Sequence, residues 1–110
     1  MSKPDLVAPG PAEVFAALGD PTRLSLLAKL SDGETRSIAK LSADTKLTRQ
    51  AVTKHLHVLE RAGLVENIRI GRESRFGYKP EPIAEAKSYL DRVSAQWDEA
   101  LGRLRAFVEG

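Results

Sequence analysis

The last third of the chain carries the pattern that most restricts its fold. After Pro82, apolar residues recur at Ile83, Ala86, Leu90, Val93, Trp97, Leu101, Leu104 and Val108, in steps of three and four. That spacing holds one stripe along a helix and is the spacing of a helix–helix seam. A long helix over residues 82–108 is expected.

The elements before it are short and punctuated. Pro4, Pro9, Gly10 and Pro11 mark residues 1–11 as a flexible arm. Val14, Phe15 and Leu18 predict a helix over 12–18, ended by Gly19. Asp20 then supplies an N-cap and Pro21 a first helical position for a helix over 21–31 that buries Leu24, Leu27 and Leu30. A third helix is expected over 35–43, with Ile38, Ala39 and Leu41 as its apolar side. After the turn Asp44-Thr45-Lys46, Thr48 caps a fourth helix over 48–62, closed by Gly63. Two strands follow in a hairpin over 65–79, Val65 to Ile70 and Arg75 to Lys79, around Gly71-Arg72-Glu73-Ser74. Mostly helical with one small β-hairpin, this order describes an α+β winged helix-turn-helix of a single domain, residues 12–110, carrying its last helix with it.

Charge is unevenly spread. The formal net charge is +2, but residues 36–79 carry +6 between two ends of −2 each. A basic middle between acidic ends points to a local polyanion-binding surface. There is no cysteine, which excludes disulfides, thiolate metal sites and thiol redox sensing. No apolar run approaches the roughly 20 residues that span a bilayer, and Met1-Ser2-Lys3-Pro4 lacks the apolar stretch of a signal peptide, so a cytoplasmic location without membrane contact is expected.

The fourth helix separates into two faces at about 100° per residue. Val52, Leu56 and Leu59 form the inner stripe; Gln50, Thr53, Lys54, His57 and Arg61 gather on the other side. Gln pairs with adenine, Lys with guanine, and Thr touches a thymine methyl or a phosphate. Thr48 and Arg49 stand at the helix N-terminus, where free N–H groups favour phosphate. On the helix alone, this reading and that of an ordinary solvated face are equally good. Arg69, Arg72 and Arg75, on or beside the hairpin tip, favour the first, because an anionic partner relieves their crowding.

The run Leu18-Gly19-Asp20-Pro21-Thr22-Arg23-Leu24 resembles the start of ArsR-type (ArsR/SmtB) transcriptional repressors. So do Thr48-Arg49-Gln50-Ala51-Val52-Thr53-Lys54-His55-Leu56 and Leu59-Glu60-Arg61-Ala62-Gly63-Leu64-Val65, with Gly71-Arg72-Glu73 where that family has its wing. The match spans roughly residues 12–108 in order. It implies a homodimer built on the first and last helices, with Val14, Phe15, Leu18, Leu90, Val93, Trp97, Leu101 and Leu104 at the interface. It also implies a repressor whose recognition helices enter successive major grooves of double-stranded DNA at a near-palindromic operator, with Arg72 and Arg75 on the adjacent backbone or minor groove. One departure is Lys46, where the family often has Gly; a Lys can adopt that left-handed geometry at modest cost, so the same fold is expected.

Sensing is where the chain departs most. The family's Cys pair before the turn is absent from residues 37–43, and the last helix offers Glu85, Asp91, Asp98 and Glu99 without a His. Carboxylates alone make a poor zinc site. His55 and His57, two apart on a helix, point in different directions; His57 faces outward and His55 flanks the core. No metal or cofactor is expected, and an unidentified small-molecule effector stays open, with Tyr89 and Trp97 as pocket or interface residues. Arg23 either contacts a phosphate or pairs with Asp20 or Glu13. No nucleophile–base set or Gly-rich phosphate loop is present, so an enzyme is not expected. The alternatives are a winged helix that binds an acidic protein, or a metal sensor with non-standard ligands.

Overall fold

The computed structural model describes residues 10–110, so most of the expected arm lies outside the described residues. Helix α1 (Pro11–Leu18) starts one residue earlier than expected. Gly10 is its extended N-cap and Pro11 its first residue, a position where the missing N–H has no partner to lose. Helix α2 (Pro21–Leu30) is capped by Asp20, whose Oδ2 accepts from the N–H groups of Thr22 at 2.9 Å and Arg23 at 3.1 Å. Ser37 Oγ caps α3 (Ile38–Ala43) by accepting from Lys40 N–H, and Thr48 Oγ1 caps α4 (Arg49–Arg61) by accepting from Ala51 N–H, each at 3.1 Å. Glu81–Glu109 form the long α5.

The C-terminus of α4 is a Schellman motif. Gly63 turns left-handed at φ 77°, its N–H donates to Glu60 O, and Leu64 N–H donates to Leu59 O, both at 2.9 Å. Leu59 and Leu64, which accompany that turn, are both fully buried. The chain is thus sent straight into the hairpin at a fixed angle to α4.

Three strands, not two, make the sheet. β1 (Arg36–Ser37), β2 (Val65–Ile70) and β3 (Glu73–Tyr78) lie in the order β1-β3-β2, all antiparallel. The third helix is therefore shorter than the expected 35–43, because Arg36 and Ser37 pair with Phe76 and Arg75 on the open edge of β3. The hairpin is also tighter than expected. Ile70 faces Glu73, which leaves Gly71-Arg72 as a two-residue loop, and Gly71 takes φ 62° while Arg72 stays at negative φ. A positive φ at the first loop residue alone is the type II′ arrangement, which matches strand twist. At Gly77 the packing is close: a Cβ there would sit 3.3 Å from Thr35 Cγ2, so that side chain would have to give way.

The core joins α1, α2, α3, α4, the hairpin and the start of α5 through Val14, Ala17, Leu26, Leu27, Leu30, Leu41, Val52, Leu56, Leu59, Leu64, Val65, Phe76 and Ala86. Leu26 replaces Leu24 in the expected set; Leu24 is half exposed. Ala39, placed on the apolar side of the third helix, is exposed, whereas Leu41 is buried. Lys46 is not left-handed, because no residue other than glycine has positive φ among the described residues. The turn closes instead on Thr45, whose N–H and hydroxyl both donate to Ser42 O, at 3.1 and 3.0 Å, while its Oγ1 accepts from Leu47 N–H at 3.2 Å.

Candidate nucleic-acid interface

Helix α4 shows the division its sequence describes. Val52, Leu56 and Leu59 have no exposed surface, whereas Arg49, Gln50, Lys54, His57 and Arg61 are exposed. None of these exposed cations is in an ion pair among the described residues. Two threonines are partly committed. Thr48 Oγ1 already accepts the capping bond, and half-buried Thr53 donates its hydroxyl to Arg49 O at 2.7 Å. That bond uses the Thr53 hydroxyl hydrogen, while the Thr48 hydroxyl can still donate.

The three hairpin arginines do not form one cluster. Side chains alternate along each strand, and Arg69 pairs with Ser74 while Ile68 pairs with Arg75, so Arg69 and Arg75 leave opposite faces. Arg75 is turned inward. Its Nε donates to Thr35 Oγ1 at 3.0 Å, NH2 to Thr35 O at 2.8 Å, and NH1 to Glu73 Oε1 at 3.0 Å. Those bonds tie the wing to the segment before α3. Arg69 and Arg72 stay exposed and, among the described residues, unpaired.

Arg23 is likewise engaged within the protein, but with neither acid named from the sequence. Nε donates to Ala17 O at 2.6 Å and NH2 to Ala16 O at 3.2 Å, while NH1 lies 3.3 Å from His55 Nδ1. The Asp20 carboxyl is held below its ordinary value, chiefly by the Arg23 backbone N–H and further by the Thr22 N–H and the Arg23 charge. Elsewhere Arg36 grips Asp32 with two bonds, 2.7 and 3.0 Å, and lowers that carboxyl to about 2.

The residues assigned to a dimer seam divide in two. Val14 is buried inside its own chain, and Phe15 and Leu18 pack against that core. On α5, only Ala86 is buried; Leu90, Trp97, Leu101 and Leu104 are each at least half exposed, and Val93 is intermediate. Phe107, off the main stripe and so missed in the sequence, is 83% exposed. Phe15 meets Tyr89 with ring centroids 6.3 Å apart, joining α1 to α5.

A helix-turn-helix domain model matches residues 18–68. An ArsR-like transcriptional regulator from Rhodococcus sp. RHA1 superposes with a TM-score of 0.77 at 36% identity, over 88% of this chain and 91% of that one. The chain belongs to the ArsR family of winged helix-turn-helix regulators. A second ArsR family transcriptional regulator gives a TM-score of 0.72 at 28% identity, over 79% of this chain and 94% of that one. An uncharacterized HTH-type transcriptional regulator of Bacillus subtilis is 40% identical over 76 residues, 64% of this chain and 83% of its own length. As an ArsR-family member the chain is a DNA-binding transcriptional regulator and not an enzyme.

The metal chemistry known in this family does not fit the residues present. Helix α3 has no thiol, and the α5 carboxylates Glu85, Asp91, Asp98 and Glu99 are all exposed. Among the described residues no three His, Cys, Asp or Glu side chains converge. None of the described helices is long and apolar enough to cross a membrane.

Proposed function

We propose that this ArsR-family chain works as a homodimeric repressor of a near-palindromic operator. The exposed, unpaired donor face of α4, opposite a fully buried stripe, is the observation that carries the reading. Gln50, Lys54 and His57 meet base edges in the major groove, Arg61, Arg49 and the Thr48 hydroxyl meet phosphates, and Thr53 offers its methyl to a thymine. Arg72 at the loop and Arg69 beside it hold the flanking backbone. Arg75, assigned to DNA from the sequence, is better placed to hold the wing at its angle, because all three of its guanidinium nitrogens are bonded within the protein, two of them to Thr35.

The dimer reading rests on α5. An apolar strip from Leu90 to Leu104 that stays exposed in one chain calls for a second helix surface. The radius of gyration, 18.5 Å, exceeds the roughly 13 Å of a compact domain this long, because much of α5 has nothing to pack on. A second chain supplies that packing through its own α1 and α5. The occupied promoter is then blocked in a cytoplasmic complex, with any small-molecule effector acting on the dimer.

Fluorescence anisotropy against the protein's own upstream region, with unrelated DNA as competitor, tests this. Binding that survives the competitor is expected. Loss at equal competitor concentration would leave only an electrostatic module, in line with a winged helix that meets an acidic protein. Tighter or weaker binding on adding zinc, cobalt or nickel would instead favour a metal sensor with unusual ligands.

A further inference from the structure

We infer that Arg23 is a positioning residue that sets the angle between α1 and the recognition helix α4. Its guanidinium bonds two carbonyls at the end of α1, Ala16 O and Ala17 O, and meets His55 Nδ1 on α4. The fork of a guanidinium is planar and fixed, so three bonds to two helices define an orientation and not merely a proximity. His55 accepts at Nδ1, which puts the proton of its neutral ring on Nε2. The ring is half-buried against the protein, while His57, two residues on, is exposed. Asp20 completes the junction. Its Oδ2 caps α2 through the Thr22 and Arg23 N–H groups and lies 3.8 Å from His55 Nδ1, balancing the charge of Arg23.

This inference rests on the dimer reading, in which α1 belongs to the interface and α4 to the DNA. Between those two surfaces the junction is a direct polar link. Two half-sites one helical turn apart demand a set separation of the two recognition helices, about 34–36 Å. A small change of angle at α1 is enlarged at α4 and misplaces the second helix on its half-site. Arg23 therefore acts on the pairing of half-sites and not on the contacts within one.

The chain has no cysteine, so a single Asp44→Cys substitution at an exposed site gives one spin label per protomer. In the dimer, pulsed electron resonance is expected to give one narrow inter-label distance, broadened or shifted by Arg23→Met and by His55→Leu. On the upstream fragment that the unaltered protein binds, both variants should lose about tenfold in affinity, yet stay within about twofold on the same fragment cut to one half-site. His55→Gln keeps an acceptor toward Arg23 and should restore both readings; it also keeps the test valid if Arg23→Met does not fold. An unchanged distance in an intact dimer, or equal losses on both DNAs, would overturn the inference alone. The absence of any inter-label distance would overturn the dimer reading, and the inference with it.

Discussion

Among single residues, those that face DNA and those that hold the protein together are told apart by where their donors go. Arg72 and Arg75 are three apart, yet one is exposed and the other makes three bonds to Thr35 and Glu73. Arg72→Ala should leave the melting temperature unchanged, weaken binding to every DNA, and lower the salt slope by about one. Arg75→Ala should lower stability by about 1–2 kcal/mol and raise hydrogen exchange at β1. Gln50→Ala should change which sequence is preferred, read by competition among operator variants. Acid pH gives a second test. The Asp20 and Asp32 carboxyls are both depressed, so the stability they contribute is present above about pH 4 and lost as pH falls toward 2. Asp20→Asn keeps the cap but removes the charge, and urea melts of that variant should show a shallower acid decline.

At the level of elements, local signals decided the helix ends and pairing decided the rest. Asp20, Thr48 and Gly63 act as the cap and stop that their residue types announce. Gly63→Ala, forced to hold φ near 77°, should cost about 1 kcal/mol, measured by thermal melting. Residues 35–37 show the opposite case. Helical spacing at Ile38, Ala39 and Leu41 suggested an earlier start, but the free edge of β3 claims Arg36 and Ser37. Ser37 is then the cap, its hydroxyl oxygen accepting from Lys40 N–H. Helical spacing alone places Leu24 with Leu27 and Leu30 in the core. Which face of α2 turns inward was settled by its packing on α4 and β3, and that face carries Leu26, Leu27 and Leu30.

For the whole molecule, α5 is the element without sufficient company. Its 29 residues extend about 43 Å at 1.5 Å per residue, and Ala86 is its one buried residue. Leu101→Arg or Trp97→Arg should convert a dimer to monomers in sedimentation, with the α4 face intact. Operator affinity should then fall by at least tenfold while binding to unrelated DNA changes little, because two linked half-sites gain from effective concentration. Unchanged sedimentation would place the dimer seam elsewhere.

The sequence by itself determined the order of the five helices and the hairpin, the buried stripe of α4 and the exposed donor face beside it. Those depend on periods of 3.6 and 2 and on capping chemistry, which act over a few residues. It also carried the stripe of α5, since helix spacing survives whatever the helix packs against. Only the tertiary structure decided that Arg75 and Arg23 bond inward, that Val14 belongs to its own core, and that β1 exists. Each of these joins positions far apart in the chain, such as Arg75 with Thr35 and Arg23 with His55. Local pattern fixes which residues are donors; the meeting of distant segments fixes which donors are already satisfied, and so which remain for DNA.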